Sequence, residues 1–229
     1  PFYVGINEVK YSWMEEGMAE FLEMKMMQHF YKDSAAYHDP LVRAINYYLR
    51  NAGKEWETPL IGPSNHLVYR YMHVQLSYIK PAIMYYILMD LLGERKFLNC
   101  YQTYIKRWAG KHPTPYDFIY TFNDVSKENL NWFWKPWIFE YGYPDLSIKE
   151  ITDSGITIDK IGSLPVPLDL KLSYKNGNEF IIHKTAAIWS SGNKNYTVKI
   201  DNPDELLSAE LITDKIPDTD KTNNILKNN

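Results

Sequence analysis

The chain has little cysteine, little net charge and no long apolar run. Its single cysteine, Cys100, excludes an internal disulfide framework but does not decide the compartment. A net charge of −3, from 25 basic and 28 acidic residues, argues against a nucleic-acid binder, which would carry a concentrated basic face. The longest apolar run, residues 82–89, is far shorter than the roughly 20 residues that span a bilayer. We therefore expect neither a nucleic-acid partner nor a membrane span.

The start of the chain lacks an initiator methionine, a charged leader and a cleavage site, since it opens directly at Pro1. We therefore expect a piece of a longer protein, whose targeting signal would lie outside this sequence. The composition is that of a folded chain, with 45% hydrophobic and 23% charged residues among 229. This length is sufficient for one large domain or two small ones.

Up to about Tyr143 the apolar residues follow helical spacing. Ser12-Trp13-Met14-Glu15 has the form of a capping box, which predicts that a helix starts at Ser12. Another helix is expected from about Ser77 to Leu92, with Pro81 in its first turn, where a missing N–H costs little. Caps and apolar stripes predict further helices in residues 39–53, 97–110, 114–126 and 132–138.

After Pro144 the apolar residues alternate with polar ones, as in half-buried strands. The clearest case is the strand at residues 168–174, which is followed at once by Asn176-Gly177. This pair predicts a hairpin with a type I′ turn, because that turn needs two residues tolerant of positive φ. Shorter strand-like runs lie at residues 146–151, 156–161, 196–200 and 206–212.

The two patterns together predict an α+β fold with two domains. Residues 1–144 are expected to form a helical domain. Residues 145–229 are expected to form a small antiparallel β-sandwich, because several strands follow one another without a helical stripe between them.

The segment from Trp13 to Glu23, which reads W-M-E-E-G-M-A-E-F-L-E, is the most informative one. By itself it fits an amphipathic helix whose acidic residues lie in the first turns, where the helix dipole favours them. Gly17 fits this interpretation less well, since glycine in a helix costs roughly 1 kcal/mol relative to alanine. A glycine here indicates that another backbone or a ligand comes close.

The same segment resembles the W-L-x-E-G-x-A-x-Y-x-E stretch of the aminopeptidase N family of zinc metallopeptidases, the gluzincins. In that family H-E-x-x-H on one helix supplies two histidine ligands and a general-base glutamate, and a glutamate on the next helix completes the zinc site. The resemblance implies that Glu16 is the third metal ligand and that the second histidine lies four positions before Pro1. Residues 1–8 also resemble the run that follows H-E-x-x-H in a bacterial branch of the family.

A second motif supports the resemblance. Tyr78-Ile79-Lys80-Pro81-Ala82 resembles the family's Y-x-K-G-A segment, whose tyrosine donates a hydrogen bond to the oxyanion of the tetrahedral intermediate. Tyr78 would take that role, although Pro81 replaces the usual glycine. The aromatic residues between positions 117 and 144 resemble a further family stretch and are interpreted as core residues. The sandwich is a weaker match to the immunoglobulin-like domain that often follows the catalytic helices.

The resemblance implies that the parent protein is a zinc-dependent aminopeptidase, which hydrolyses N-terminal peptide bonds through a metal-activated water. The helical domain would be the C-terminal half of a thermolysin-like catalytic domain. None of the six histidines stands in an H-E-x-x-H pair, and His66 and His73 would lie roughly 10 Å apart on a helix, too far to share one ion. We therefore expect the chain alone to supply one zinc ligand of three, to retain no zinc and to be inactive. Peptide substrates and a periplasmic or cell-surface location follow from the same resemblance.

Two other functions are compatible with the sequence. A non-catalytic relative would use the same scaffold to bind peptides or a protein partner. The sandwich would be a sugar-binding or adhesion module if Tyr174, Trp189 and Tyr196 were exposed, although core packing is the simpler interpretation. We also expect the isolated chain to self-associate through apolar surface.

Overall fold

The computed structural model describes residues 3–34 and 36–228. It divides into two compact units after Tyr141. Pro1 and Phe2, with which the family-like run of residues 1–8 begins, lie outside the described residues. The first unit is helical and the second consists of antiparallel strands, so the predicted α+β class is confirmed. Within these two ranges, no helix combines the length and the apolar character that crossing a bilayer requires.

The helices of the first unit include two that begin with the predicted caps. Asp39 accepts a hydrogen bond from the Leu41 N–H ahead of one of them, and Thr114 and Asp117 form a reciprocal capping box at another. In chain order the helices are α1 (Glu8–Tyr11), α2 (Glu16–Tyr31), α3 (Pro40–Leu49), α4 (Arg70–His73), α5 (Lys80–Leu92), α6 (Glu94–Trp108), α7 (Pro115–Ser126) and α8 (Asn131–Trp134). Two π-helical segments, Val74–Ile79 and Lys135–Phe139, follow α4 and α8.

The capping box predicted at Ser12 is wrong. Ser12–Met14 forms a 3₁₀ turn, and α2 begins at Glu16, with Glu15 as an N-cap that makes no side-chain capping bond. The Ser12 hydroxyl bonds instead to the hydroxyls of Ser64 and Ser77, from distant parts of the chain. A tertiary contact has therefore replaced the local one that the sequence pattern indicates.

The predicted start at Ser77 is also wrong, since the helical conformation begins at Arg70 and continues to Leu92. Pro81 has no N–H to donate to the carbonyl four residues back, which normally interrupts an α-helix. The backbone accommodates this by π winding over Val74–Ile79, where hydrogen bonds span five residues. Pro81 consequently lies within a longer helical stretch.

Aromatic side chains make up much of the core of the first unit. The Trp134 indole N–H donates to Asn123 Oδ1 at 3.0 Å, so this ring is both buried and satisfied. Of the aromatics that the resemblance assigned to the core, Phe118, Phe133, Trp134 and Trp137 are buried, whereas the prediction is wrong for Tyr141, which is 46% exposed. Phe118 lies at the centre, with edge or tilted ring contacts to Trp13, Tyr85, Tyr104, Phe122 and Trp134.

The strands of the second unit form two antiparallel sheets, with the orders β1-β2-β5 and β4-β3-β6-β7. Strand β1 of the first sheet contacts β6 and β7 of the other. In chain order the strands are β1 (Leu146–Thr152), β2 (Gly155–Lys160), β3 (Leu168–Tyr174), β4 (Glu179–Lys184), β5 (Asn195–Val198), β6 (Leu206–Leu211) and β7 (Ile225–Lys227).

The hairpin predicted at Asn176-Gly177 joins β3 to β4, but its turn is not of type I′. Gly177 has a φ of +85°, whereas Asn176 is not among the residues with positive φ. The Gly177 N–H donates to the Tyr174 carbonyl at 2.9 Å. A four-residue connection, 175–178, lets one glycine supply the left-handed conformation that the reversal needs.

The exposed aromatic platform considered for the second unit is not formed by Trp189. This side chain is buried, with 2% of its surface exposed, and its indole N–H donates to the Val166 carbonyl at 2.8 Å. Trp189 also makes an edge contact with the ring of Tyr196. These contacts identify Trp189 as a core residue of the sheets.

Candidate active site

Helix α2 and the start of α5 approach each other closely at Gly17. A Cβ atom added to Gly17 would lie 2.5 Å from both Cβ and Cγ of Pro81, a distance that real Cβ atoms do not reach. The carbonyl oxygen of Ser77 lies 3.4 Å from the same position. The close approach that the sequence indicated for Gly17 is therefore with the neighbouring helical stretch.

This contact brings the two sequence-predicted site residues together. Glu16 is the first residue of α2 and Tyr78 lies in the π-helical segment, and both are half-buried. The Tyr78 hydroxyl donates a hydrogen bond to Glu16 Oε1 at 2.7 Å. The two groups therefore face each other across the contact between the helices.

The hydrogen bond to Glu16 is the largest of the effects that raise the pKa of Tyr78 to about 12. Burial and the negative charges of Glu16, Glu8 and Glu20 raise this pKa further. All of these effects disfavour the phenolate. Tyr78 therefore remains a hydrogen-bond donor throughout the neutral pH range.

The acidic surroundings also act on Glu20, one turn further along α2. Burial raises the pKa of Glu20, the nearby Glu23 carboxylate raises it further, and Arg43 opposes both. Negative charge therefore accumulates along the face of α2 that begins at Glu16. Such a potential favours a bound cation or a protonated amine.

His73 lies beside the pair, although the sequence assigned it no role. Its ring meets that of Tyr78 edge to face, with centroids 6.0 Å apart. Residues five apart do not share a face of an α-helix, but π winding between His73 and Tyr78 brings them onto one side. Pro81, after the tyrosine, was the sequence signal that could have indicated this irregular winding.

Glu16 can supply one carboxylate ligand to a metal ion. Among the residues that the structure describes, no three His, Cys, Asp or Glu side chains converge as a metal site would require. A zinc ion bound by protein needs three or four such ligands. The described residues therefore do not complete a zinc site by themselves.

The fold resembles that of a solved bacterial enzyme. One match is the crystal structure of Legionella pneumophila aminopeptidase A in complex with aspartic acid, with a TM-score of 0.64 and 17% sequence identity. The likeness covers 91% of this chain but 24% of that one, so the present chain spans about a quarter of the length of its structural relative. At this identity the comparison establishes a common fold. No curated protein matches the chain significantly in sequence.

The helical unit also matches a protein family in sequence. The model of the peptidase family M1 domain matches residues 3–137, which include α2, the π-helical segment and the Glu16–Tyr78 pair. This match covers more than half of the 229 residues. The chain is therefore a member of peptidase family M1.

Proposed function

We propose that this chain contributes the third zinc ligand, Glu16, and the oxyanion-stabilising donor, Tyr78, to a zinc-dependent aminopeptidase. The observation that carries the proposal is the 2.7 Å hydrogen bond between these two side chains. Residues 62 positions apart, each selected by a separate motif, are in direct contact where two helical stretches meet, which supports the proposal. Membership of peptidase family M1 supports the same class of reaction.

The remaining ligands are proposed to come from an H-E-x-x-H motif upstream of Pro1, with its second histidine four positions before that residue. When bound, zinc supplies a Lewis acid that activates water at neutral pH. Glu16 provides an anionic oxygen to the site. Substrates are proposed to be peptides with a free amino terminus, and the parent protein is proposed to act in the periplasm or at the cell surface.

Tyr78 is suited to stabilise developing negative charge. Because its pKa is about 12, the hydroxyl keeps its proton and can donate it in a hydrogen bond when the peptide carbonyl oxygen becomes an oxyanion. In the structure this hydrogen is donated to Glu16, so donation to an oxyanion requires the hydroxyl to turn away from that carboxylate. Donors of this kind typically contribute about 3 kcal/mol to transition-state stabilisation, or roughly a hundredfold in rate.

The test uses the protein extended upstream of Pro1, assayed for metal by mass spectrometry and for hydrolysis of amino-acid p-nitroanilides. We expect close to one zinc per chain, and loss of both zinc and activity in Glu16→Gln. Glu23→Gln, at an exposed position of the same helix, is the matched control and should retain both. Tyr78→Phe should retain zinc and lose roughly a hundredfold in kcat.

The same experiment separates the proposal from the non-catalytic alternative. An extended protein without zinc, whose peptide binding is indifferent to Glu16→Gln, would indicate a scaffold that binds peptides or a protein partner. Zinc that persists in Glu16→Gln would exclude Glu16 as a ligand and would contradict the proposal directly.

A further inference from the structure

Three buried serines form a hydrogen-bonded group, the serine cluster, which consists of Ser12, Ser64 and Ser77. Their exposed fractions are 4%, 8% and 0%. The Ser12 N–H and hydroxyl both donate to Ser64 Oγ, at 3.0 and 2.7 Å. Ser12 Oγ and Ser77 Oγ are 2.5 Å apart. These contacts join three segments that are distant in the sequence.

The direction of the Ser12–Ser77 hydrogen bond follows from that of the Ser12–Ser64 bond. A hydroxyl carries one hydrogen, so Ser12, which donates to Ser64, must accept from Ser77. Ser77 Oγ also lies 3.4 Å from His73 Nδ1. The cluster is therefore directional, and removing the Ser77 hydroxyl would leave a buried acceptor on Ser12 without its donor.

The serine cluster flanks the Glu16–Tyr78 pair. Three contacts connect the same two segments in the same order: Ser12 with Ser77, then Glu16 with Tyr78, then Gly17 with Pro81. The contact between Ser12 and Ser77 is an attractive hydrogen bond. The contact between Gly17 and Pro81 prevents a closer approach, since even an added Cβ on Gly17 would lie 2.5 Å from Pro81. The hydrogen bond between Glu16 and Tyr78 lies between these two constraints.

We propose that Ser12 and Ser77 are positioning residues for the Glu16–Tyr78 pair. The hydrogen bond between them holds the 3₁₀ turn before α2 against the π-helical segment, and this sets how far the Tyr78 hydroxyl lies from Glu16. The inference about geometry concerns this chain alone. Its consequence for the rate of hydrolysis rests on the proposed function.

The test of geometry replaces tyrosine by 3-fluorotyrosine in this chain and records ¹⁹F spectra, with the Tyr78 signal assigned through Tyr78→Phe. We expect Ser77→Ala and Ser12→Ala to move the Tyr78 signal toward its position in Glu16→Ala. The matched control is Ser126→Ala, a serine with 5% exposure in α7 that is bonded to the Asn123 carbonyl, and it should leave the signal in place.

The conservative variant Ser12→Thr keeps the hydroxyl and should restore the parental signal. If Ser77→Ala fails to fold, as judged by circular dichroism, Ser12→Ala decides the question through the same spectrum, because it removes the other partner of the same hydrogen bond. A Tyr78 signal that is unchanged in folded Ser12→Ala would overturn the proposal.

The test of catalysis uses the extended protein. Loss of one positioning hydrogen bond is expected to lower kcat roughly tenfold while KM stays within about twofold. A fall in kcat that Ser126→Ala reproduces would overturn the catalytic part, because the effect would then be one of general destabilisation. If the extended protein hydrolyses no peptide, the proposed function fails, and the ¹⁹F result still decides the geometric inference.

Discussion

Lys80 and Glu57 form a fully buried ion pair two residues beyond Tyr78. Lys80 Nζ and Glu57 Oε1 are 2.6 Å apart, and both side chains have no exposed surface. The second oxygen of Glu57 accepts the Gly53 N–H at 2.8 Å. Loss of hydration lowers the pKa of Lys80, and the charge of Glu57 opposes this shift. The ammonium ion is therefore tolerated because its partner is present.

Removing either partner is expected to destabilise the chain strongly. Glu57→Leu or Lys80→Met should lower the free energy of unfolding by about 3–5 kcal/mol, because an unpaired charge stays buried. The double variant Glu57→Leu/Lys80→Met should lose much less than the sum of the singles. Urea denaturation measures all three.

The matched control for this prediction is the exposed ion pair between Lys96 and Glu128, whose side chains are 44% and 41% exposed. Lys96→Met should change the free energy of unfolding by no more than about 1 kcal/mol. Additive losses in the double variant of the buried pair would contradict the prediction.

Single residues could be predicted from the sequence where a motif selected them. The resemblance of two motifs to the family identified Glu16 and Tyr78 as residues of one site, but the hydrogen bond between them was not predictable, because no local spacing fixes a distance across 62 residues. His73 was missed because its contact with Tyr78 depends on π winding. Ser12 was misinterpreted because a hydroxyl that can cap a helix can equally bond to distant serines.

At the scale of elements, the packing of α2 against the helical stretch around Pro81 depends on the absent side chain of Gly17. Alanine normally stabilises a helix relative to glycine by about 1 kcal/mol. Here its Cβ would meet Pro81 at 2.5 Å, so Gly17→Ala is expected to lower the free energy of unfolding by about 1–3 kcal/mol through overpacking. Chemical denaturation measures the change.

A second variant checks the cause of this loss. Pro81→Gly removes both ring atoms that the new methyl group would meet, so adding Gly17→Ala in that background should cost little or should stabilise. An equal loss from Gly17→Ala in both backgrounds would show that the contact with Pro81 is not responsible.

In the second unit, Asp218 ties the loop before β7 to the start of β1. Its carboxylate accepts the Leu146 N–H at 3.2 Å and the Asp220 N–H at 3.0 Å, and 2% of the residue is exposed. Burial raises the pKa of Asp218 to about 6, and the charge of Asp145 adds to this rise, while the hydrogen bonds oppose it. The folded state therefore holds this proton more tightly than the unfolded chain does.

This pKa predicts that the second unit loses stability as the pH rises. The stabilisation that the tightly held Asp218 proton provides is fully present below about pH 4, where Asp218 is protonated in both the folded and the unfolded state. It is lost as the pH passes through about 6. A rise of the pKa from the ordinary aspartate value of 3.8 to about 6 corresponds to about 3 kcal/mol at most. Urea denaturation followed through NMR signals of the β strands should show the fall, and Asp218→Asn should flatten it. An unchanged slope in that variant would assign the effect to other carboxyl groups.

Elements could be predicted where local chemistry determines them. The capping box at Thr114, the cap at Asp39 and the β3–β4 hairpin all follow from short-range rules, and all are present. The start of α2 and the π-helical segment could not be predicted, because contacts with distant residues override the local pattern in both cases. These two elements contain the candidate site residues, Glu16 at the start of α2 and Tyr78 in the π-helical segment.

At the scale of the whole chain, the α+β class was predictable from the change of apolar period alone, because helices and strands do not alternate along the sequence. An apolar groove in the first unit is lined by aliphatic and aromatic side chains from the residues before α1 and from α2 and α6. They include Val4, Ile6, Met18, Leu22, Tyr101 and Ile105.

We expect this groove to make the isolated chain self-associate, because apolar surface gains about 25 cal/mol for each Å² removed from water. Sedimentation velocity should show a mean mass that rises with concentration. Leu22→Glu, which introduces a charge into the groove, should reduce the association, whereas Leu207→Glu, at an exposed position of β6, is the matched control and should not. A chain that stays monomeric at the highest concentration reached, or association that both variants weaken equally, would contradict a role for the groove.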